Sequence, residues 1–171
     1  MPEVHLIRRI RNRPADIFDL VADVEKYPEF INLISALRIT KTLSDTEFEA
    51  EAIVAYKMIS ESFQSHILVD KEALRIEVKK AEKGGAVKSL VNRWQFYPLN
   101  DGSTLVDVVV DVRLKARTLE FLLRDKFSKA SIMIVNAFEA RAQQSLPAVG
   151  EAEYDFKAEL SALGLDAKKV V

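Results

Sequence analysis

Cysteine is absent from the 171 residues, which removes disulfides, thiolate catalysis, Cys-ligated zinc and iron–sulfur clusters together. Histidine occurs only as His5 and His66, with no HExxH and no His-rich cluster, so no metal centre is expected. No apolar run reaches the roughly 18 residues of a membrane span, and the opening MPEVHLIRRIRNRP has neither a signal-peptide core nor the Ser-rich character of a presequence. Neither sign of charge dominates: 25 Lys+Arg face 26 Asp+Glu, a net charge of -1 that argues against a strongly basic nucleic-acid binder. These absences point to a cytoplasmic, bacterial protein that can touch the inner membrane only from its surface. What is present is a 49% hydrophobic composition, ample for one core in a chain of this length.

Five prolines and five glycines punctuate the chain. Pro14 opens a short amphipathic helix carrying Ile17, Leu20, Val21 and Val24, and Pro28 is expected to end it. From Ser35 to Ala116 the period becomes two. Phe48, Ala50, Ala52, Val54 and Tyr56 alternate with glutamates; Phe63, Ser65, Ile67 and Val69 form the next row, and Leu74, Ile76 and Val78 the third. Leu90, Asn92, Trp94 and Phe96 lead to an Asn100-Asp101-Gly102 turn, beyond which Val106 to Leu114 alternate again. Short turns between successive strands require an antiparallel meander. From about Arg117 to Leu146 the period is helical, with Leu119, Leu123, Phe127, Ala130, Ile134 and Phe138 on one stripe of a rod roughly 45 Å long. The tail after Pro147 shows only a short helical pattern, Lys157 to Leu163, stopped by Gly164.

This order predicts an α+β fold, a curled antiparallel sheet around a long helix, in residues 1–146, with 147–171 as a tail. Ala50 to Tyr56 puts small residues mid-row, which leaves room for a cavity; Ser65 and Asn92 add isolated polar groups to the same face. Such a wall suits an apolar ligand, and it equally suits a filled core whose polar groups bond to backbone. Periodicity leaves both open.

Four stretches then carry a resemblance. Phe18-Asp19-Leu20-Val21-Ala22-Asp23-Val24-Glu25-Lys26-Tyr27-Pro28-Glu29-Phe30, Glu61-Ser62-Phe63-Gln64-Ser65, Asn92-Arg93-Trp94-Gln95-Phe96-Tyr97-Pro98-Leu99 and Ala137-Phe138-Glu139-Ala140-Arg141-Ala142 occur in order. Together they resemble the Coq10/RatA branch of the START-like (polyketide cyclase/dehydrase) superfamily. The resemblance implies a helix-grip fold and, from Coq10 members, binding of ubiquinone or a similar polyprenyl lipid in support of respiration. RatA members imply the ribosome as an alternative partner, and cyclase members a small-ligand enzyme. Relatives that carry a cysteine after the YP.F motif differ here, where Leu33-Ile34 stands, so no thiol role carries over.

The favoured reading is a non-catalytic carrier with no cofactor of its own. Tyr27, Pro28 and Phe30 are read either as the rim of a pocket mouth, with the Tyr27 hydroxyl offered to a head group, or as a plug of the core. Trp94 and Phe96 are expected to wall the cavity with Ala52, Tyr56, Phe63 and Asn92, and Leu123, Phe127 and Ile134 to face it from the helix. Glu61 shares the inward parity; an ionised carboxylate there must lie at the open end, find a partner or take up a proton. His66 should face solvent, and His5 lies away from the cavity. Asp107 and Asp111, about 13 Å apart on one strand, belong to an outer solvated surface. Arg8, Arg9, Arg11 and Arg13 are read as a solvated edge strand, or as a patch for lipid head groups or RNA phosphate.

Overall fold

A computed structural model describes residues 3–56, 59–81, 87–117, 120, 124 and 126–171. Strand β1 (Glu3–Ile10) leads into helix α1 (Pro14–Ala22) and a 3₁₀ helix (Val24–Glu29). Strands β2 (Ile34–Thr42), β3 (Glu47–Tyr56), β4 (Ile59–Asp70), β5 (Arg75–Lys80), β6 (Val87–Pro98) and β7 (Thr104–Leu114) follow, then helix α2 (Phe127–Ser145) and helix α3 (Lys157–Ala162). The strands form one antiparallel sheet in the order β1-β7-β6-β5-β4-β3-β2. The first strand closes beside the last, as helix-grip architecture requires.

The expected parities hold. Ala50, Ile67, Ile76, Trp94, Phe96, Val106 and Val108 form one cluster with Ile17, Phe18 and Val21 of α1 and Phe138 and Ala142 of α2. Burying this set is the main stabilising term of the fold. Gly102, at φ 90°, closes the expected hairpin. Two expectations change. Helix α1 stops at Ala22, six residues before Pro28, which lies inside the 3₁₀ helix. The Tyr27 hydroxyl donates to the Val21 carbonyl, satisfying one of the acceptors that a helix end leaves open. The expected rod is interrupted at Lys126, the N-cap of Phe127–Ser145, whose 19 residues extend about 28 Å; residues 118, 119, 121–123 and 125 of that rod lie outside the described residues.

The tail is part of the packing. Tyr154, Phe156, Leu160, Leu165 and Val170 pack on Ile7, Tyr97, Leu99 and Leu105, the outer side of the sheet. This corrects the view of the arginine row as a solvated edge or a free patch. Arg8 donates to Glu139 and to the Val171 carbonyl; Arg9 donates to Ser103, Asp101 and the Glu151 carbonyl and stands over the Tyr154 ring; Arg11 donates to the Gly150 carbonyl. Only Arg13 is exposed without such a contact. Nor is the aspartate pair a solvated surface. Asp107 is buried and bonded to His5, while Asp111 Oδ1 is walled in without a partner, because strands β1 and β6 flank β7 on both sides. His66 is half-exposed and bonds Glu47 at 3.2 Å.

Asp101 fastens the tail. Its carboxylate accepts from Arg9 at 2.5 Å, from the Glu151 N–H at 3.0 Å and from the Ser103 hydroxyl at 2.5 Å. Gly150 (φ +76°) lies so close that a Cβ would come within 2.9 Å of Asp101 Cγ. Burial opposes ionisation of Asp101, but the bonds from Ser103, Glu151 and Arg9 outweigh it and hold the carboxyl well below its ordinary range. A carboxyl so lowered stabilises the fold above the unfolded value of about 3.9, and that contribution fades as pH falls through the folded value. Thermal melts from about pH 7 to about pH 2 should therefore show acid destabilisation that is shallower in Asp101→Asn, a variant less stable than the parent at neutral pH. Parallel profiles for the two proteins would contradict this role.

Candidate functional site: the cavity under the sheet

The inner face is not filled along its whole length. A cavity of about 330 Å³ lies between the sheet and α2. Its walls come from β3 (Ala52, Val54), β4 (Glu61, Phe63, Ser65, Ile67), β5 (Val78), β6 (Val87, Leu90, Asn92, Trp94), β7 (Val108, Val110, Val112, Leu114) and α2 (Phe127, Ala130, Ser131, Ile134, Val135, Phe138). Val4 and Leu6 of β1, Val24, Tyr27 and Ile31 after α1, Leu33, Ile34 and Leu37 around the start of β2, and Lys126 complete it.

Strand register orients this space. Val54 pairs with Ile34 and Glu61, Val87 pairs with Leu114, and Asp111 pairs with Glu3, so these positions share one end of the sheet. Glu61, Val87, Leu114 and Lys126 stand there, and Lys126 is the exposed member of the wall. Farther in, Phe138 meets Tyr27, Phe30 and Trp94 edge-on, with ring centroids 5.0, 5.3 and 5.1 Å away. Trp94 stacks on Phe96 at 6.1 Å, and Phe96 meets Phe18 at 5.9 Å. The aromatic cluster is thus a floor, and beyond it the core is solid.

The expected ligand residues divide accordingly. Ala52, Glu61, Phe63, Asn92, Trp94, Phe127 and Ile134 line the cavity, as does Tyr27. Tyr27, however, belongs to the inner wall rather than to a mouth. Its hydroxyl proton is committed to Val21, and burial, with the nearby Asp23 charge, pushes its pKa far up. Pro28 and Phe30 are not in the wall; Phe30 packs behind it, with Arg141 over its ring. Phe96 lies below the floor, because Trp94 covers it. Leu123 and the side chain of Tyr56 lie outside the described residues.

The polar groups on the wall are few and mostly occupied. Ser65 donates to the Ala50 carbonyl at 3.3 Å. Asn92 donates to the Val109 carbonyl at 3.1 Å and accepts from the Trp94 indole at 2.9 Å, a relay that keeps both groups satisfied against the apolar wall. Glu61 is the one carboxylate of the described wall, and no histidine is in it. Such a wall offers apolar area and a few hydrogen bonds rather than a paired acid and base. Ser131 and Val135, which the helical stripe alone did not single out, also face this space; each lies four residues from a recognised or mutual neighbour (127, 131, 135), the spacing of one helix face.

Comparison with known proteins agrees with this geometry. The chain is 27% identical over 135 residues to the ribosome association toxin RatA of Rickettsia prowazekii, covering 77% of this chain and 90% of that protein. It is 22% identical over 133 residues to the mitochondrial coenzyme Q-binding protein coq10 of Schizosaccharomyces pombe, covering 77% and 80%. A START superfamily protein from Mycobacterium smegmatis superposes with a TM-score of 0.72 at 20% identity, over 83% of this chain and 97% of that one, and the fold is therefore START-like. No helix among the described residues is long and apolar enough to cross a membrane. A family model described as polyketide cyclase/dehydrase and lipid transport matches residues 10–139, and with three quarters of its length so matched the chain belongs to that family.

Proposed function

We propose that this protein is a non-catalytic carrier for a ubiquinone-like polyprenyl lipid, which it binds in the cavity beneath the sheet and hands on in support of respiratory electron transfer. The observation that carries this reading is the apolar cavity itself, about 330 Å³ with an aromatic floor. Ligand pockets run from about 300 to about 1,000 Å³, so the space suits a ring or part of a polyprenyl tail. Each CH₂ taken from water contributes about 0.8 kcal/mol, enough to drive binding without any catalytic group. The similarity to a coenzyme Q-binding protein supports the same ligand class. Contact with the inner membrane would be peripheral and brief, as loading from a bilayer requires.

The test is extraction. Protein purified natively from quinone-rich cells is extracted with organic solvent, and the extract is examined by mass spectrometry. A co-purifying quinone is the expected result. An empty extract, together with no binding of added ubiquinone, would end the carrier reading.

One observation favours a second reading, a ribosome-associated protein: the similarity to RatA, at 27% identity. Such a partner would act on the exterior, where Arg8, Arg9 and Arg11 are already engaged by Glu139, Asp101 and the tail. Co-sedimentation with ribosomal subunits, undiminished by Ala52→Trp inside the cavity, is the result that would favour it.

A further inference from the structure

Ser131 interrupts an otherwise apolar face of α2. One turn before it stands Phe127 and one turn after it Val135, which pack with Val4 and Leu6 of β1. Ser131 is 7% exposed and lies in the cavity wall. Among the described residues its hydroxyl has no hydrogen-bond partner, not even the carbonyl one turn back, the partner that Ser145 takes at Arg141. It is not walled in either. Asp111 Oδ1 is the one sealed and unpartnered side-chain oxygen among the described residues, so Ser131 Oγ is not sealed, and the cavity is the space that its residue lines.

A buried hydroxyl with nothing to bond costs free energy, and native structures rarely leave one so. A water would need two to four polar partners, and the neighbouring Phe127, Val135, Val4 and Leu6 supply none. Tyr27 and Ser65, the other hydroxyls on the described wall, have given their protons to the Val21 and Ala50 carbonyls. From the geometry we infer that Ser131 is the polar anchor of the cavity, donating its hydrogen bond to a neutral carbonyl or ether oxygen on an otherwise apolar ligand. This rests on the lipid-binding reading and sharpens it. Charge decides between oxygen types. The wall holds one carboxylate, Glu61, and its one ammonium, Lys126, is exposed at the sheet's end. A ligand carboxylate beside Ser131 would be buried without a cation, at a heavy desolvation cost, whereas a quinone oxygen carries no charge. Along the helix Ser131 is about 10 Å from Phe138, so an oxygen held there leaves the aromatic floor to the hydrocarbon.

Trp94 is the chain's only tryptophan and stands in the cavity wall, so its fluorescence reports occupancy directly. Native protein, Ser131→Ala and Ser131→Thr are titrated with a short-tailed ubiquinone; a branched hydrocarbon of similar length and palmitate are run as competitors. Ser131→Ala is expected to weaken quinone binding about three- to tenfold, the worth of one hydrogen bond. Ser131→Thr, which keeps the hydroxyl, should stay near native, hydrocarbon affinity should be the same in all three, and palmitate should compete poorly. Equal quinone affinity in native protein and Ser131→Ala overturns the anchor while leaving the carrier reading intact. Palmitate competing as well as quinone overturns the preference for a neutral oxygen. If quinone and hydrocarbon both fail to bind native protein, the carrier reading itself falls.

Discussion

Replacing Ala52 with tryptophan is expected to lower affinity for a short-tailed ubiquinone by a factor on the order of a thousand. Ala52 is 5% exposed and lines the cavity, facing Phe63 across β4 and Leu37 across β2. An indole there occupies the volume of at least one isoprene unit. Five carbons at about 0.8 kcal/mol each make roughly 4 kcal/mol, or about three decades in affinity. The cost to folding should be small beside this, because the new side chain enters empty space; overpacking of a filled core costs about 1–3 kcal/mol. Circular dichroism and a thermal melt establish that the variant is folded, and equilibrium titration then reads the loss. Quinone binding within tenfold of native, in a folded variant, would mean that the ligand lies elsewhere.

The second large effect belongs to the floor. Phe138 is 2% exposed and holds Tyr27, Phe30 and Trp94 around it. Its truncation to alanine removes those edge-to-face contacts and joins a new void to the cavity. A loss of about 3–5 kcal/mol is expected, with a fall in melting temperature of roughly 10 °C or more for a chain of this size. Urea denaturation measures it. A loss under about 1 kcal/mol would show that the neighbouring rings close the gap, and that the floor is softer than a packed core.

These two positions differ in how far they could be read beforehand. Ala52 was legible: strand parity put it inward, and its small size between bulkier neighbours marked a hollow. Phe138 appeared in a helical stripe and in the family resemblance, but its function as a floor depends on rings from three other elements. Tyr27 stays open in the sequence between the rim of a mouth and a plug of the core, because its position after a helix and beside a proline says nothing of which end of the sheet it meets. The structure turns it inward, where it closes α1. Ser131 is not legible in the sequence, because a serine in an apolar stripe carries no signal until the space before it is known to be empty.

By itself the sequence determined the antiparallel strands, their inner and outer faces, the turns and the presence of a terminal helix. Those features follow from periods of two and 3.6 and from the backbone limits of proline and glycine, all of which act within a few residues. Only the tertiary structure decided how much of the curl stays hollow, which end is closed, and where the tail goes. Arg9 meets Asp101 across 92 positions of chain and Arg8 meets Glu139 across 131. No local pattern encodes such meetings, since they arise when a curled sheet brings its first strand beside its last and one surface must then be covered.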